Sequence, residues 1–206
     1  MKINLLNFKT MKTIKFYVMA VIAISLLASC NNDDDATIPP VEEEEAITKL
    51  ILTFTNVSNS SDVVTLTWDD ANMDEVIDAG EQTVTGPFSA GQTYNAVIAL
   101  EADGEDFLAE DILENQEAID AHFFVYTVNP TNLFSMMTRT DATTATRSDG
   151  NKLGVNTTWT VGSTSGTGTI TIQLWHEATT VSDTGGFGSA TGDETDIDIP
   201  FNITIQ

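Results

Sequence analysis

The chain has 206 residues, with 31 acidic and 8 basic side chains and a formal charge of −23 at neutral pH. Four of the cations, Lys2, Lys9, Lys12 and Lys15, precede residue 30 and every acid follows it, leaving only Lys49, Arg139, Arg147 and Lys152 to answer the acids. That balance excludes nucleic acid as a partner, because its binding relies on Lys and Arg neutralising phosphates. It equally excludes adhesion to anionic lipid through a basic patch, and it favours solubility, cationic partners and divalent metals.

In chain order, the basic opening runs into an apolar stretch from Phe16 to Ala28, broken only by Ser25. A membrane-spanning helix needs about 20 apolar residues, so this shorter run after a basic segment reads as a secretory signal over residues 1–29. It ends in Leu27-Ala28-Ser29-Cys30, which resembles the bacterial lipobox, and Cys30 is the only cysteine in the chain. The expectation is cleavage before a lipidated Cys30 and attachment to outer-membrane lipid through acyl chains, on the surface or the periplasmic face. With that thiol used, no cysteine remains for disulfides, so the domain must hold by its core. Residues 30–45 read as an acidic, flexible tether, from Asn31-Asn32-Asp33-Asp34-Asp35 through Pro39-Pro40 to Glu42-Glu43-Glu44-Glu45. Extended, it reaches roughly 45 Å.

Residues 46–206 follow as one domain. Leu50, Leu52 and Phe54 share one parity of a first strand, and Val64, Leu66 and Trp68 share one parity of a second. The acidic stretch after them places Asp70, Asn72, Asp74, Asp78 and Glu81 at positions 1, 3, 5, 9 and 12 of a loop, with the Val76 carbonyl at position 7. Hard cations take oxygen ligands in this spacing, so the stretch looks like the calcium loop of EF-hand modules, with calcium as the expected cofactor. Glu75 stands where glycine normally makes the sharp turn. The plain alternative is an acidic turn.

Tyr94, Ala96, Ile98 and Leu100 alternate in another strand, and Ala109–Ala121 reads as one short helix. His122 and His176, the only histidines, each fall at a strand end. With Glu177 they form a candidate transition-metal set if their strands are neighbours; the alternative is a pair of structural histidines. Leu153, Val155, Trp159 and Val161 alternate before Gly162-Ser163-Thr164-Ser165-Gly166, and Ile170, Ile172 and Leu174 alternate after it, which predicts a hairpin. Trp68 and Trp159 follow the core parity, whereas Trp175 takes the opposite one and is expected to be exposed. The closing strand alternates Ile197, Ile199, Phe201, Ile203 and Ile205 with polar residues, and Pro200 on the wet parity points to a sheet edge. The expected fold is all-β: a single antiparallel β-sandwich with one short helix, a barrel being the alternative.

Several stretches resemble a group of small Bacteroidota, Flavobacteria-type outer-membrane lipoproteins. They are Glu42–Ile47 leading into the first strand, the acidic helix into Ala121-His122-Phe123-Phe124, Gly166-Thr167-Gly168-Thr169-Ile170, His176-Glu177, and Glu194-Thr195-Asp196-Ile197 before the last strand. Members often carry the label "type 1 periplasmic binding fold", which describes two α/β lobes and does not match a strand-rich chain of this length. The resemblance also implies an association with TonB-dependent receptors. The functional expectation is a membrane-anchored, non-catalytic ligand-binding or accessory lipoprotein. Two alternatives stand beside it: a hydrolase acting on glycans or peptides, and a purely structural surface lipoprotein. No nucleophile elbow, zincin motif or Gly-rich phosphate loop supports the hydrolase.

Overall fold

Strict alternation of apolar and polar residues separates the two faces of each strand, and the computed structural model is built on that separation. It describes residues 46–206, Glu75 and Asp193 excepted; the expected signal peptide, Cys30, the expected tether and Glu75 lie outside the described residues. Among the described residues the strands are β1 (Lys49–Asn56), β2 (Val63–Asp69), β3 (Gln82–Val84), β4 (Thr93–Ala102), β5 (Glu105–Asp106), β6 (His122–Asn129), β7 (Phe134–Arg139), β8 (Asn156–Val161), β9 (Gly166–His176), β10 (Thr180–Ser182), β11 (Ser189–Thr191) and β12 (Thr195–Ile205). One sheet has the order β3-β2-β1-β4-β8-β7, with β5 on the end of β4; a second has the order β12-β9-β6, and β10 and β11 form a separate hairpin. The two larger sheets pack face to face as an antiparallel sandwich and do not close into a barrel.

The inner faces are those the alternation marks. Leu50, Leu52 and Phe54 of β1 lie opposite Leu100, Ile98 and Ala96 of β4 and are fully buried. In β12 the residues from Ile197 to Ile205 alternate buried and exposed. Trp159 sits at the aromatic centre, edge-on to Phe54, Tyr126, Phe134 and Phe187 at 5.1–5.5 Å between ring centroids. Its indole N–H donates to the Thr157 hydroxyl at 2.8 Å, which accounts for a threonine on the inner face. Pro200 lies on β12, the outermost strand of its sheet, where a residue without an N–H costs no ladder bond.

The expected hairpin over residues 153–176 is not formed. β8 pairs with β4 and β7, whereas β9 pairs with β6 and β12. Residues 162–165 therefore carry the chain from one sheet to the other. Both arms bury one face, so their alternation is the same in a hairpin and in a crossing between layers. The helical segment also divides, into a π-helical turn at Leu108–Ile112 and α1 (Gln116–Ala121). Asn115 makes the break: its extended backbone leaves the helix, and its side-chain oxygen accepts from the Glu117 and Ala118 amides to begin a new one.

Arg139 fastens the parts that the ladders leave loose. Its buried guanidinium donates to the carbonyls of Gly186, Lys152, Leu153, Phe124 and Phe187 at 2.6–3.3 Å and lies 4.4 Å from the Phe123 ring centroid. Five N–H donors in a planar fork match this set of acceptors, which a single ammonium cannot do. The connected segments are β6, β7, the 152–154 strand entry and the tip of the β10–β11 hairpin. Gly186 and Gly188 let that tip approach: a Cβ on Gly186 would fall 1.9 Å from the Met137 carbonyl oxygen, and one on Gly188 would fall 2.1 Å from the Arg139 guanidinium.

Candidate metal centre

α1 ends where β6 begins, and this junction sets the first histidine. His122 is paired directly with His176 across β6 and β9. Both lie on the parity of Phe124 and Leu174, at the end of the inner face. The His122 Nδ1 lies 2.7 Å from the Ala118 carbonyl of the last turn of α1. A carbonyl can only accept, so Nδ1 carries the proton and a neutral His122 presents the Nε2 lone pair. The two rings stack in parallel, 4° apart in plane and 4.8 Å between centroids.

Asp196 completes the group. The β12–β9 register slips between Thr195 and Ile197, so Asp196 is the extra residue of a β-bulge. The bulge brings its carboxylate to 3.9 Å from His122 Nε2 and 3.8 Å from His176 Nδ1. One ligand atom from each of His122, His176 and Asp196 lies within 4.8 Å of the others. Burial holds the His122 imidazole below the usual histidine pKa against the opposing Ala118 hydrogen bond; His176 and Arg147 push the same way as burial, and Asp111 opposes them. The neutral ring is the form that can ligate a metal.

Of the sequence-derived set, the structure brings His122 and His176 together and leaves Glu177 outside the group. Glu177 turns away into solvent with φ +49° while its amide donates to the Ala121 carbonyl at 2.8 Å. Asp196 was not among the candidates, because alternation alone puts it on the wet parity with Asp198. Only the register slip brings its carboxylate to the two histidines, and a bulge has no periodic signature.

The acidic stretch forms the loop between β2 and β3, closed by the Asp69 amide donating to the Glu81 carbonyl at 3.0 Å. Its side chains turn inward on one another. The Asp74 amide donates to Asp70 Oδ1 at 3.4 Å, the Asn72 amide group donates to Asp74 and Asp78 at 3.1 and 3.4 Å, and the Asp78 amide donates to Glu81 at 2.8 Å. Direct side-chain bonds thus join positions 3, 5 and 9, the side chains at 1 and 12 hold backbone amides of the loop, and Val76 and Ile77 are exposed. Asp69 and Asp70, adjacent in sequence, do not act as a pair: Asp69 faces solvent near Lys49, and Asp70 is buried.

Trp68 and Trp159 are core residues. Trp175 is half-buried rather than exposed: its indole nitrogen is enclosed without a hydrogen-bond partner, and a Cβ on Gly192 would lie 3.7 Å from its ring. It opposes Phe123 of β6 and Thr195 of β12, so strand-end packing covers a ring that parity alone leaves in water.

Comparison with family models, with curated proteins and with solved structures returns no match to this chain.

Proposed function

We propose that the protein is a lipid-anchored, non-catalytic binding or accessory module of the bacterial outer membrane, working beside a TonB-dependent receptor. The observation that carries this reading is Leu27-Ala28-Ser29-Cys30 at the end of a short apolar run, followed by an acidic tether. The family resemblance supplies the receptor. The sequence carries no nucleophile elbow, zincin motif or Gly-rich phosphate loop that would favour a hydrolase. In this reading calcium is a structural cofactor of the Asp70–Glu81 loop, suited to an extracellular compartment where the ion is plentiful.

Two measurements test the reading in separate parts. Native protein takes up labelled palmitate and Cys30→Ala does not; label on the variant, or none on the native chain, removes the anchor. Crosslinking in outer membranes followed by affinity capture recovers a TonB-dependent receptor with the native protein. Repeated capture without any such receptor removes the accessory role and leaves the anchor standing.

A further inference from the structure

We propose that His122, His176 and Asp196 form a divalent transition-metal site of the zinc class, with two imidazoles and one carboxylate as ligands and a fourth position open to water or an incoming donor. The site goes beyond the anchored-module reading and needs neither the lipid nor a receptor.

Three features converge on it. The first is the ligand set itself: imidazole nitrogens suit zinc, copper, nickel and iron, while calcium and magnesium take oxygen. The second is orientation. A metal-ligating histidine commonly gives its other ring N–H to a carbonyl or carboxylate, which fixes its tautomer and ring plane. His122 has that bond already, from Nδ1 to Ala118, and so keeps Nε2 for a metal. The third is the bulge in β12. It interrupts an otherwise regular ladder from Thr195 to Ile205 at the one residue whose carboxylate then meets both histidines. Bulges of this kind re-aim a side chain at the cost of a ladder contact.

The distances define what binding must change. A tetrahedral zinc with bonds of about 2.0–2.1 Å places its ligand atoms roughly 3.4 Å apart, against 3.8 and 3.9 Å from Asp196 to the two rings. The three ligand atoms lie within 4.8 Å of one another, so the set must contract by up to about 1.4 Å. The parallel stack must also open, because two parallel rings cannot both direct a lone pair at one point between them. His122 is held by its bond to Ala118 and by burial, with only 10% of its side chain exposed, whereas the His176 side chain is 35% exposed. His176 is therefore the ring that rotates. Arg147 donates to the His122 carbonyl at 2.9 Å, and so positions the strand without occupying a ligand atom. Three protein ligands leave one position open, whereas closed structural sites use four.

The test uses the full chain without a histidine tag and carrying Cys30→Ser, so that no thiol competes. Zinc titration by calorimetry is expected to give one equivalent of tight binding, and cobalt is expected to give visible d–d bands of a low-coordinate nitrogen–oxygen site. His176→Ala and Asp196→Asn, both at partly exposed positions, each weaken zinc binding by about tenfold or more and abolish the cobalt bands. Circular dichroism of both variants verifies that they fold. Asp70→Asn/Asp74→Asn leaves the zinc titration unchanged, because the acidic loop supplies only oxygen. The absence of a one-equivalent zinc isotherm overturns the site. Unchanged zinc affinity in folded His176→Ala and Asp196→Asn overturns it equally.

Discussion

The Tyr94 hydroxyl donates a 2.8 Å hydrogen bond to the Asp62 carboxylate while accepting the Ser89 amide at 2.9 Å. Tyr94 is fully buried on the inner face of β4, and Asp62 closes the turn between β1 and β2. One phenol oxygen therefore joins the sandwich core to two surface turns. Asn56 and Ser89 add side-chain bonds to the same carboxylate at 2.8 and 3.1 Å.

These bonds make the first prediction one of pH. Burial pushes the Asp62 pKa upward, but the bonds from Asn56, Tyr94 and Ser89 outweigh it and the value falls below the ordinary 3.8. The folded state thus binds the proton less readily than the unfolded chain. The contribution of Asp62 is present above about pH 4 and is lost as pH falls further, through the folded pKa. Urea unfolding of the native protein and Asp62→Asn is expected to show a stability gap at pH 7 that narrows below pH 4. A gap that is constant from pH 7 to pH 3 contradicts the assignment. Tyr94→Phe, which also strips the Ser89 amide of its acceptor, is expected to cost about 1–3 kcal/mol at pH 7.

Arg139 supports a larger effect. Arg139→Met leaves up to five carbonyl oxygens short of a donor in a buried site, a loss comparable to breaking a buried ion pair, about 3–5 kcal/mol. Arg139→Lys keeps the charge and still loses most of this, since an ammonium cannot span acceptors on three segments. Chemical unfolding of both variants checks the claim. A lysine variant within about 0.5 kcal/mol of native, the range of an ordinary surface change, shows that charge rather than the planar fork is what the site requires.

The hairpin tip that Arg139 grips gives an independent test. Gly186 has φ +81° and no room for a Cβ beside the Met137 carbonyl. Gly186→Ala must therefore both strain its own backbone and displace the β10–β11 hairpin from β7. The expected cost exceeds about 2 kcal/mol, with the hairpin amides becoming the first to lose hydrogen-exchange protection. Full protection of the tip in the variant contradicts the docking described above.

What the sequence shows of this molecule is what period two can carry. The buried parities of β1, β2, β4 and β12 are all legible because each strand has one wet face. Partnership between strands is not. Trp159 and Ile172 alternate in the same way whether β8 and β9 pair with each other or stand in opposite sheets, and the 162–165 segment carries turn residues in either case. The site follows the same division. The two histidines are visible as strand-end residues of one parity, whereas Asp196 depends on a one-residue slip against β9 and Glu177 is lost to a positive-φ turn. Trp175 fails for a related reason, because an outward parity predicts water only where no other segment covers that face.

The last prediction concerns calcium at Asp70, Asn72, Asp74, Val76, Asp78 and Glu81. The loop offers five side-chain oxygen donors and one carbonyl, and a hard cation takes six to eight oxygens, so water completes the shell. Without the ion, Asn72 holds Asp74 and Asp78 together through one amide group, a weak substitute for a divalent charge among four carboxylates. Calcium must displace those bonds and the backbone amides that Asp70 and Glu81 accept, which lowers the net gain. The expected affinity is on the order of 10⁻⁴ to 10⁻³ M, as in extracellular modules. At millimolar calcium the linked stabilisation is then roughly 0.4–1.4 kcal/mol, visible as a small rise in melting temperature. Magnesium, which prefers tighter octahedral shells and keeps its waters, is expected to raise it less. General screening of an acidic chain acts on any variant alike, so Asp70→Asn/Asp74→Asn separates the two effects: it loses the calcium-specific part and keeps the screening part. If calcium stabilises the double variant as much as the native protein, or magnesium does as well as calcium, the segment is an acidic turn held by Asn72.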